Sequence, residues 1–221
     1  MLNQKSLNKV AKPNSRVVGG ATVKFWKDRL EQVWFKTLAA TVYRRVLLLE
    51  RMLDGRIPMI SPRVDVTIDC LDDTHMAEYL QLQPKGQELL IHDRFSHGHT
   101  CFAARYEGRL IGVAWATPHR IHMSPYVSLV MSLPDKSIYF YESFTEPGFR
   151  GLSIQIALCA HMIRYFGAKG FQRAVTGVVP ENEPSRRVYV QCGFQPYKMI
   201  QFVMVGSYRR LLPAASRIHE R

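Results

Sequence analysis

No stretch of the sequence reaches the roughly 18 consecutive uncharged apolar residues that a membrane-spanning helix needs, so no such helix is expected. Residues 1–20 lack the apolar segment of a secretory signal peptide, which argues against export. Low-complexity sequence and internal repeats are also missing, and a chain that is 47% hydrophobic and 22% charged is not wholly disordered. The 221 residues therefore predict a cytoplasmic protein with one mid-sized domain and extensions.

Cysteine is sparse, and no Cys-x-x-Cys pair occurs. No histidine stands at a metal-binding spacing from any cysteine, so we expect reduced and mostly buried thiols. The one close histidine pair, His97 and His99, flanks Gly98 with no pair of carboxylates opposite, which favours a loop over a metal site. No bound metal is therefore expected. The cysteines are Cys70, Cys101, Cys159 and Cys192.

Positive charge is in excess, but it is concentrated at the two ends of the chain. Residues 1–62 contain 12 Lys/Arg against 4 Asp/Glu, residues 63–206 contain 14 against 13, and residues 207–221 contain 4 against 1. The nearly neutral centre argues against a nucleic-acid enzyme, whose positive stripe usually lies on the folded body. The basic ends could instead bind an acidic acyl-carrier protein or an anionic membrane surface, at the periphery of the membrane, or simply be solvated.

Apolar residues recur every three or four positions over Val23–Leu53, which predicts an amphipathic helix. The stripe is longer and more aliphatic than surface binding requires, so it favours a helix docked on the domain over one lying on a membrane. A linker with two prolines follows. We therefore divide the chain into a basic N-terminal arm with an amphipathic helix (1–62), a central domain (63–206) and a basic C-terminal tail (207–221).

The central domain alternates strand and helix patterns. Two apolar runs joined by Glu107-Gly108-Arg109 predict a β-hairpin, which is followed by strand, helix, strand, helix and strand. This order predicts an α/β fold with a mixed sheet, while residues 118–136 show no assignable pattern. The predicted strands are 64–70, 100–106, 110–117, 137–144, 171–179 and 197–205, and the predicted helices are 72–80, 87–96, 154–166 and 184–192.

A short turn leads from the strand at 137–144 into the helix that begins at Ile154. Such a turn presents free backbone N–H groups, which the helix dipole reinforces, so the arrangement suits a pyrophosphate. Gly151 allows close approach of the backbone, Arg150 can add a charge-assisted contact, and Ser153 offers a hydroxyl. Taken alone, this pattern is common and is more typical of an ordinary helix start.

A second unit follows one strand later. Asn182 stands just before the last predicted helix, in which Ser185 and Tyr189 are four residues apart and share a face. Gly193 is typical of a helix C-terminus, and Phe194 begins the return to the sheet. The two units in this order are much more specific than either one alone.

Together these motifs resemble the GNAT superfamily of acyl-CoA-dependent N-acyltransferases, over about residues 64–206. The resemblance implies a central mixed, mostly antiparallel sheet flanked by helices (α+β). It implies a donor whose pyrophosphate binds at the turn and whose pantetheine arm pairs with the strand before it. It also implies that Tyr189 protonates the leaving thiolate and that Asn182 holds the pantetheine or a water. It rests on two motifs, Pro147-x-x-Arg150-Gly151 and Asn182…Ser185…Tyr189…Gly193-Phe194.

The turn departs from the family pattern, because Ser153 and Gln155 occupy positions where small residues are usual. Gln155 could crowd a pyrophosphate or hydrogen-bond to it, and a donor linked to a carrier protein would need that pocket less. By resemblance, the donor-binding residues are Phe144, Thr145, Arg150, Gly151, Leu152, Ser153, Ile154, Gln155, Asn182 and Ser185.

Attack of an amine on a thioester requires a base, an oxyanion donor and a proton for the sulfur. We expect Glu142 to be the base: if its face is buried, the pKa of its carboxylate rises into a useful range. The same position equally suits an ion pair with an arginine. Glu146, at the mouth of the turn, and His119 are the next candidates. Glu142 alternates in phase with Ile138, Phe140 and Phe144.

These observations predict an enzyme that transfers an acetyl group from acetyl-CoA to a primary amine, by direct attack in a ternary complex. An alternative is a long-chain N-acyltransferase, similar to the N-acyl amino acid synthases, that uses an acyl-carrier protein or a long-chain acyl-CoA. A third interpretation is a non-catalytic module that binds acyl-CoA and regulates a partner. The sequence does not identify the acceptor.

Overall fold

The computed structural model describes residues 43–55, 61–82, 88–122, 130–205 and 208–212. The strands are β1 (Tyr43–Met52), β2 (Thr67–Leu71), β3 (Thr100–Tyr106), β4 (Arg109–Thr117), β5 (Arg120–His122), β6 (Val130–Ser132), β7 (Ser137–Thr145), β8 (Arg173–Val178), β9 (Gln195–Val205) and β10 (Tyr208–Leu211). The helices are α1 (Met76–Leu82), α2 (Glu88–Ser96), α3 (Ile154–Ala168) and α4 (Glu183–Gln191).

Eight of these strands form one sheet, in the order β10-β9-β1-β8-β7-β4-β3-β2, and β5 pairs with β6 in a separate hairpin. Among the strand pairs whose register is described, only β7 and β8 run parallel. The prediction of a mixed, mostly antiparallel sheet flanked by helices is therefore confirmed. The β5–β6 hairpin lies in the segment whose sequence shows no assignable pattern.

Two apolar clusters cover the two faces of the sheet. On one face, α3 packs against β3, β4 and β7 around Phe102, Phe140, Leu158 and Phe166. On the other, α1 packs against β4 in a cluster that contains Tyr79, Ile91 and Trp115. Helices α2, α3 and α4 begin within one residue of the predicted positions. The helix predicted from residue 72 begins later: Asp72 accepts a hydrogen bond from the Thr74 N–H and caps a 3-10 turn, and α1 follows from Met76.

The amphipathic helix predicted over Val23–Leu53 is wrong in its second half. Residues Tyr43–Met52 form β1, which lies between β8 and β9 and pairs antiparallel with β8. Four consecutive residues of β1, Val46 to Leu49, are buried. A continuous apolar run is typical of an interior strand covered on both faces, and here it also satisfies the three-to-four spacing of a helix. The first half of the predicted helix lies outside the described residues.

The chain divides into two compact units. One comprises residues 45–202 and 210–221 and contains the four helices. The other comprises residues 1–44 and 203–209, of which the structure describes only ends of β1, β9 and β10.

Residues Tyr208–Leu211, assigned to a basic tail by their charge, form β10. None of the helices in the described segments is long and apolar enough to cross a membrane.

Candidate active site

A cleft lies beside β7, next to the residue at which the parallel pairing of β7 with β8 ends. Their pairing ends at Phe140 and Thr176, although both strands continue beyond that pair. Past this fork the two strands do not pair with each other. The cleft is lined by Ala114, Trp115, Phe140, Tyr141, Ser143, Gln155, Cys159, Met162, Val188 and Tyr189.

A β-bulge on β7 decides which side chains face this cleft. Glu142 and Ser143 together stand opposite Ala114, and Glu142 has a left-handed backbone with a φ of 40°. The extra residue reverses the alternation of the strand. Phe140 and, after the bulge, Ser143 face the cleft beside α3, whereas Phe144 packs in the cluster on the opposite face. The prediction that Glu142 and Phe144 share a face with Phe140 is therefore wrong.

Tyr189 lines the cleft from α4 and is 8% exposed. Its ring packs edge-on against Phe194, with 5.3 Å between the ring centroids. Burial raises the pKa of the phenol well above its usual value, whereas hydrogen bonds with the side chains of Thr176 and Ser143 lower it. The phenol is therefore protonated at neutral pH, as a hydrogen-bond or proton donor must be.

Glu142 does not lie on a buried apolar face, and its carboxylate forms an ion pair with Arg94 of α2. Arg94 is 8% exposed, and its guanidinium lies 5.1 Å from the ring centroid of Trp115 and 5.2 Å from that of Tyr141. Of the two interpretations that the sequence left open, the structure shows the arginine partner. A role for Glu142 as the base stays a prediction.

The turn before α3 contains two left-handed residues, Gly151 with a φ of 78° and Ser153 with a φ of 64°. No backbone N–H of residues 151–153 hydrogen-bonds to the backbone of another described residue. A Cβ atom on Gly151 would meet nothing within 4 Å, so the space beside the turn is open. Unpaired N–H groups at the start of a 15-residue helix form a cradle for an anion.

The charges around this turn are arranged to favour an anion. Arg150 is exposed, and its Nε donates to the carbonyl of Thr145 across 3.2 Å. Glu146, one alternative candidate for the base, is paired with Arg109 across 2.9 Å. The carboxylate at the mouth of the turn is thus neutralised. His119, the other alternative, is not among the residues that line the cleft.

Gln155 turns its side chain toward the sheet. Its Nε2 donates to the carbonyl of Phe144 across 2.7 Å and to the hydroxyl of Thr145 across 2.8 Å. The amide is thereby committed to the protein and ties the first turn of α3 to the end of β7. Contact of Gln155 with a pyrophosphate, whether by crowding or by hydrogen bonding, stays a prediction.

Asn182 caps α4, as its position before the helix predicted: its Oδ1 accepts from the backbone N–H of Ser185 across 3.3 Å. Neither residue is among those that line the cleft, so their contact with a donor stays a prediction. Gly193, with a φ of 81°, ends the helix.

Two residues near Tyr189 were missed from the sequence, namely Ser143 and Thr176. Alternation along β7 places Ser143 on the opposite face, and only the bulge brings it to the cleft. Thr176 is 1% exposed within the otherwise apolar Ala174–Val178. A lone hydroxyl in such a run was the one available signal, because a buried hydroxyl needs a partner.

A model of the acetyltransferase (GNAT) family matches residues 68–194, which is more than half of the chain. The chain belongs to the GNAT acetyltransferase family. The matched segment of this GNAT protein lies inside the domain predicted at 63–206, and it contains the turn, the fork and Tyr189. No curated protein matches the sequence significantly.

Several solved structures share the GNAT fold with this chain. A GNAT-family protein from Novosphingobium aromaticivorans is 18% identical, with a TM-score of 0.51 over 73% of this chain; this chain spans 63% of that protein. The glucosamine N-acetyltransferase region of a fungal multi-domain β-N-acetylglucosaminidase is 16% identical, with a TM-score of 0.54, and covers 79% of this chain and 22% of that one. An AAC(6')-Iy structure with a bisubstrate analogue is 22% identical, with a TM-score of 0.48. The match covers 66% of this chain and 98% of that one.

Among the residues that the structure describes, no group of histidine, cysteine, aspartate and glutamate side chains is arranged to hold a metal ion. The four cysteines are free thiols, three of them buried and Cys70 exposed.

Proposed function

We propose that this protein transfers an acetyl group from acetyl-CoA to a primary amine, by direct attack within a ternary complex. The observation that carries the proposal is the cleft beside β7, between the sheet and helices α3 and α4, which is lined by the protonated phenol of Tyr189. Each of the strands β7 and β8 is followed by a helix, α3 or α4, and ligands of such folds bind at the carboxyl ends of the strands.

The turn before α3 supports a donor that carries a pyrophosphate. The N–H groups of residues 151–153 have no backbone partner among the described residues, and the space beside Gly151 is open. Arg150 supplies an exposed positive charge, while Arg109 neutralises Glu146. These features fit the diphosphate of coenzyme A, for which residues 150–153 would be the principal contacts.

The side chains that line the cleft favour a short acyl group. Phe140, Met162 and Tyr189 are bulky, and an acyl group bound in the cleft would lie against them. An acetyl group needs the least room beside these side chains, so we propose an acetyl donor rather than a long-chain one.

In the proposed reaction the lone pair of the neutral amine attacks the thioester carbonyl, and a C–N bond forms. The C–S bond then breaks, and the sulfur leaves with the electron pair. Tyr189 supplies the proton that the thiolate takes up, and the proton lost by the amine nitrogen passes to solvent or to a base. The products are an amide and free coenzyme A.

Thermal unfolding in the presence of coenzyme A, acetyl-CoA, palmitoyl-CoA and an acyl-carrier protein tests the donor. A ligand at about 100 times its Kd adds roughly 2.7 kcal/mol, which raises the Tm by a few degrees. We expect coenzyme A and acetyl-CoA to stabilise the protein. Arg150→Gln should raise the Kd several-fold and so make the Tm shift smaller, while the exposed Arg187→Gln leaves the shift unchanged. Stabilisation by palmitoyl-CoA or the carrier protein alone would instead support a long-chain acyltransferase.

Release of free thiol from acetyl-CoA tests catalysis. The acceptor panel contains a polyamine, an aminoglycoside, an amino sugar, an amino acid, and peptides with a free N-terminus or a lysine. We expect turnover with at least one of these amines. Binding of acetyl-CoA without turnover on any of them would support a non-catalytic module.

A further inference from the structure

Helix α4, which carries Tyr189, reaches the core only at its C-terminal end. Of its nine residues only Tyr189 is buried, and most of the others are exposed. A helix this short is marginal by itself, so its position depends on tertiary contacts. The Cys192 thiol donates to the carbonyl of Ile156 in α3 across 3.6 Å, and the ring of Phe194 packs against Tyr189. The last turn of α4 therefore fixes where the Tyr189 phenol lies.

Arg51 of β1 binds this end of the helix. Its guanidinium donates to the backbone carbonyl of Cys192, the residue that caps α4. Arg51 is 8% exposed and Cys192 is fully buried, so water competes little for this hydrogen bond. A positive charge at a helix C-terminus also interacts favourably with the helix dipole. Both effects hold the last turn of α4 against β1.

The backbone after Cys192 connects the guanidinium to Tyr189. Gly193 has a φ of 81°, and a Cβ atom at this position would overlap Nη1 of Arg51. One residue later, the N–H of Phe194 donates to the carbonyl of Tyr189 across 3.0 Å. A displacement of the guanidinium is thus passed to Tyr189 through a single turn of backbone.

We propose that Arg51 is a positioning residue for the acyl transfer: by holding the last turn of α4 against β1, it keeps the Tyr189 phenol where a thioester sulfur in the cleft would take up its proton. This inference rests on the proposed function. Arg51 lies outside the segment that the family model matches and is not among the residues that line the cleft, so it acts through Tyr189 and not on a substrate. The phenol is in place before the donor binds, and a small misplacement of a reacting group slows a reaction strongly.

A double-mutant cycle tests the proposal, using thiol release from acetyl-CoA with the amine that wild type acetylates fastest. We expect Arg51→Met to lower kcat by about 10-fold or more. The KM for acetyl-CoA should stay unchanged, because the anion cradle lies before α3 and not on α4. In a Tyr189→Phe background, Arg51→Met should cost less than about two-fold further. Arg51→Lys keeps a positive charge and a donor, so it should retain more of the rate than Arg51→Met.

Arg173→Met is the matched control. Arg173 stands on β8 opposite Met52, one position along from the pair of Arg51 with Ala174, so its side chain lies on the other face of the sheet. It is also partly buried, with 20% of its side chain exposed, and its partners are Glu50 on β1 and the ring of Tyr197 on β9. We expect Arg173→Met to leave kcat unchanged.

Arg45→Met provides a second control on the same strand as Arg51. Arg45 pairs with Glu181, just before α4, but the two side chains are 43% and 60% exposed. Such a pair contributes little to holding the helix, so kcat should again be unchanged.

The resonance of Tyr189 in protein labelled with [ζ-13C]tyrosine gives a readout that does not depend on turnover. Its absence from the spectrum of Tyr189→Phe identifies it. It should shift in Arg51→Met but not in Arg173→Met or Arg45→Met, because only Arg51 holds the turn to which Tyr189 belongs.

An undiminished loss in the Tyr189→Phe background, an unmoved Tyr189 resonance in Arg51→Met, or an equal loss in Arg173→Met would overturn the positioning role while leaving the acetyltransferase proposal intact. Failure of wild type to acetylate any amine would overturn the proposed function and this inference with it.

If Arg51→Met does not fold, Gly193→Ala tests the same contact from the side of the helix. The added methyl group would displace the Arg51 guanidinium, so kcat should fall. Gly170→Ala is its control, since Gly170 also has a positive φ, of 85°, but a Cβ atom there would meet nothing within 4 Å. Equal values of kcat for the two glycine variants would overturn the proposal.

Discussion

The side-chain amide of Gln155 donates to the backbone carbonyl of Phe144 across 2.7 Å, and so joins the first turn of α3 to the end of β7. A second hydrogen bond from the same nitrogen reaches the hydroxyl of Thr145. The GNAT pattern usually has a small residue at this position. Here a larger one holds the turn from its inner side, so the cradle formed by residues 151–153 is supported by a side chain as well as by the backbone.

Replacement of Gln155 by alanine, although it restores a small residue, should destabilise the protein by about 1–2 kcal/mol. The Phe144 carbonyl and the Thr145 hydroxyl would each lose a donor in a partly buried place. Urea unfolding measures the change. Gln191→Ala, at an exposed position of α4, should alter the stability by less than about 0.5 kcal/mol. Equal effects of the two substitutions would contradict this account of Gln155.

Gly151→Ala should weaken coenzyme A binding by more than its effect on stability explains. A φ of 78° costs any L-residue about 1 kcal/mol, and the new Cβ would enter the open space beside the anion cradle. Gly170 is the matched control: it also has a positive φ, of 85°, and a Cβ there would likewise meet nothing within 4 Å, but it follows the far end of α3. Calorimetry should show a several-fold higher Kd for Gly151→Ala and an unchanged Kd for Gly170→Ala.

Glu142→Gln should cost more stability than Arg94→Gln. Loss of the carboxylate leaves the buried Arg94 guanidinium without its partner, whereas loss of the guanidinium leaves a carboxylate that is 34% exposed and can be hydrated. We expect about 2–3 kcal/mol for the first and about 1–2 kcal/mol for the second in urea unfolding.

The exposed pair Arg187–Glu183 provides the control for this comparison. Its side chains are 75% and 66% exposed, so either substitution there should change stability by less than about 1 kcal/mol. Equal costs for Glu142→Gln and Arg94→Gln would show that burial of the guanidinium does not govern the pair.

His161 should make stability fall as the pH is lowered. Burial, reinforced by the charge of Arg164, lowers the pKa of its imidazole, so the unfolded chain binds the proton more tightly than the folded one. The stability that the neutral imidazole contributes is fully present above the pKa of histidine in the unfolded chain, about 6.5. It is lost as the pH falls through the lower pKa of the folded protein. Urea unfolding between about pH 5 and pH 8 gives the free energy of unfolding as a function of pH. This free energy should depend less steeply on pH for His161→Gln than for wild type. Parallel slopes would rule out a contribution from this histidine.

The sequence predicted those parts of the fold that depend on local pattern. The helices α1 to α4 and the turn before α3 follow from periodicity and capping residues that lie within a few positions of one another. Strand β1 could not be predicted in this way, because the buried run from Val46 to Leu49 fits a helix as well as a strand. The choice depends on strands β8 and β9, which lie more than a hundred residues away along the chain.

In the candidate site, too, the sequence predicted what depends on a local motif and not what depends on the pairing of distant strands. Tyr189 was found through its motif, and the structure places it in the cleft. Glu142 was assigned to the wrong face, because the position of a bulge depends on the register between β7 and β4 and leaves no mark in the alternation of one strand. Ser143 was missed for the same reason.

The position of β1 in the sheet affects how the chain folds during synthesis and where fragments of it can begin. β1 leaves the ribosome before every other described strand, yet its neighbours β8 and β9 are synthesised among the last. The sheet can therefore form around β1 only through contacts between residues far apart in the sequence, and such contacts slow folding. A fragment trimmed to the matched segment, residues 68–194, would lack both β1 and β9 and would leave β8 as a bare apolar edge open to aggregation. Fragments intended for crystallisation or assay must begin before Tyr43.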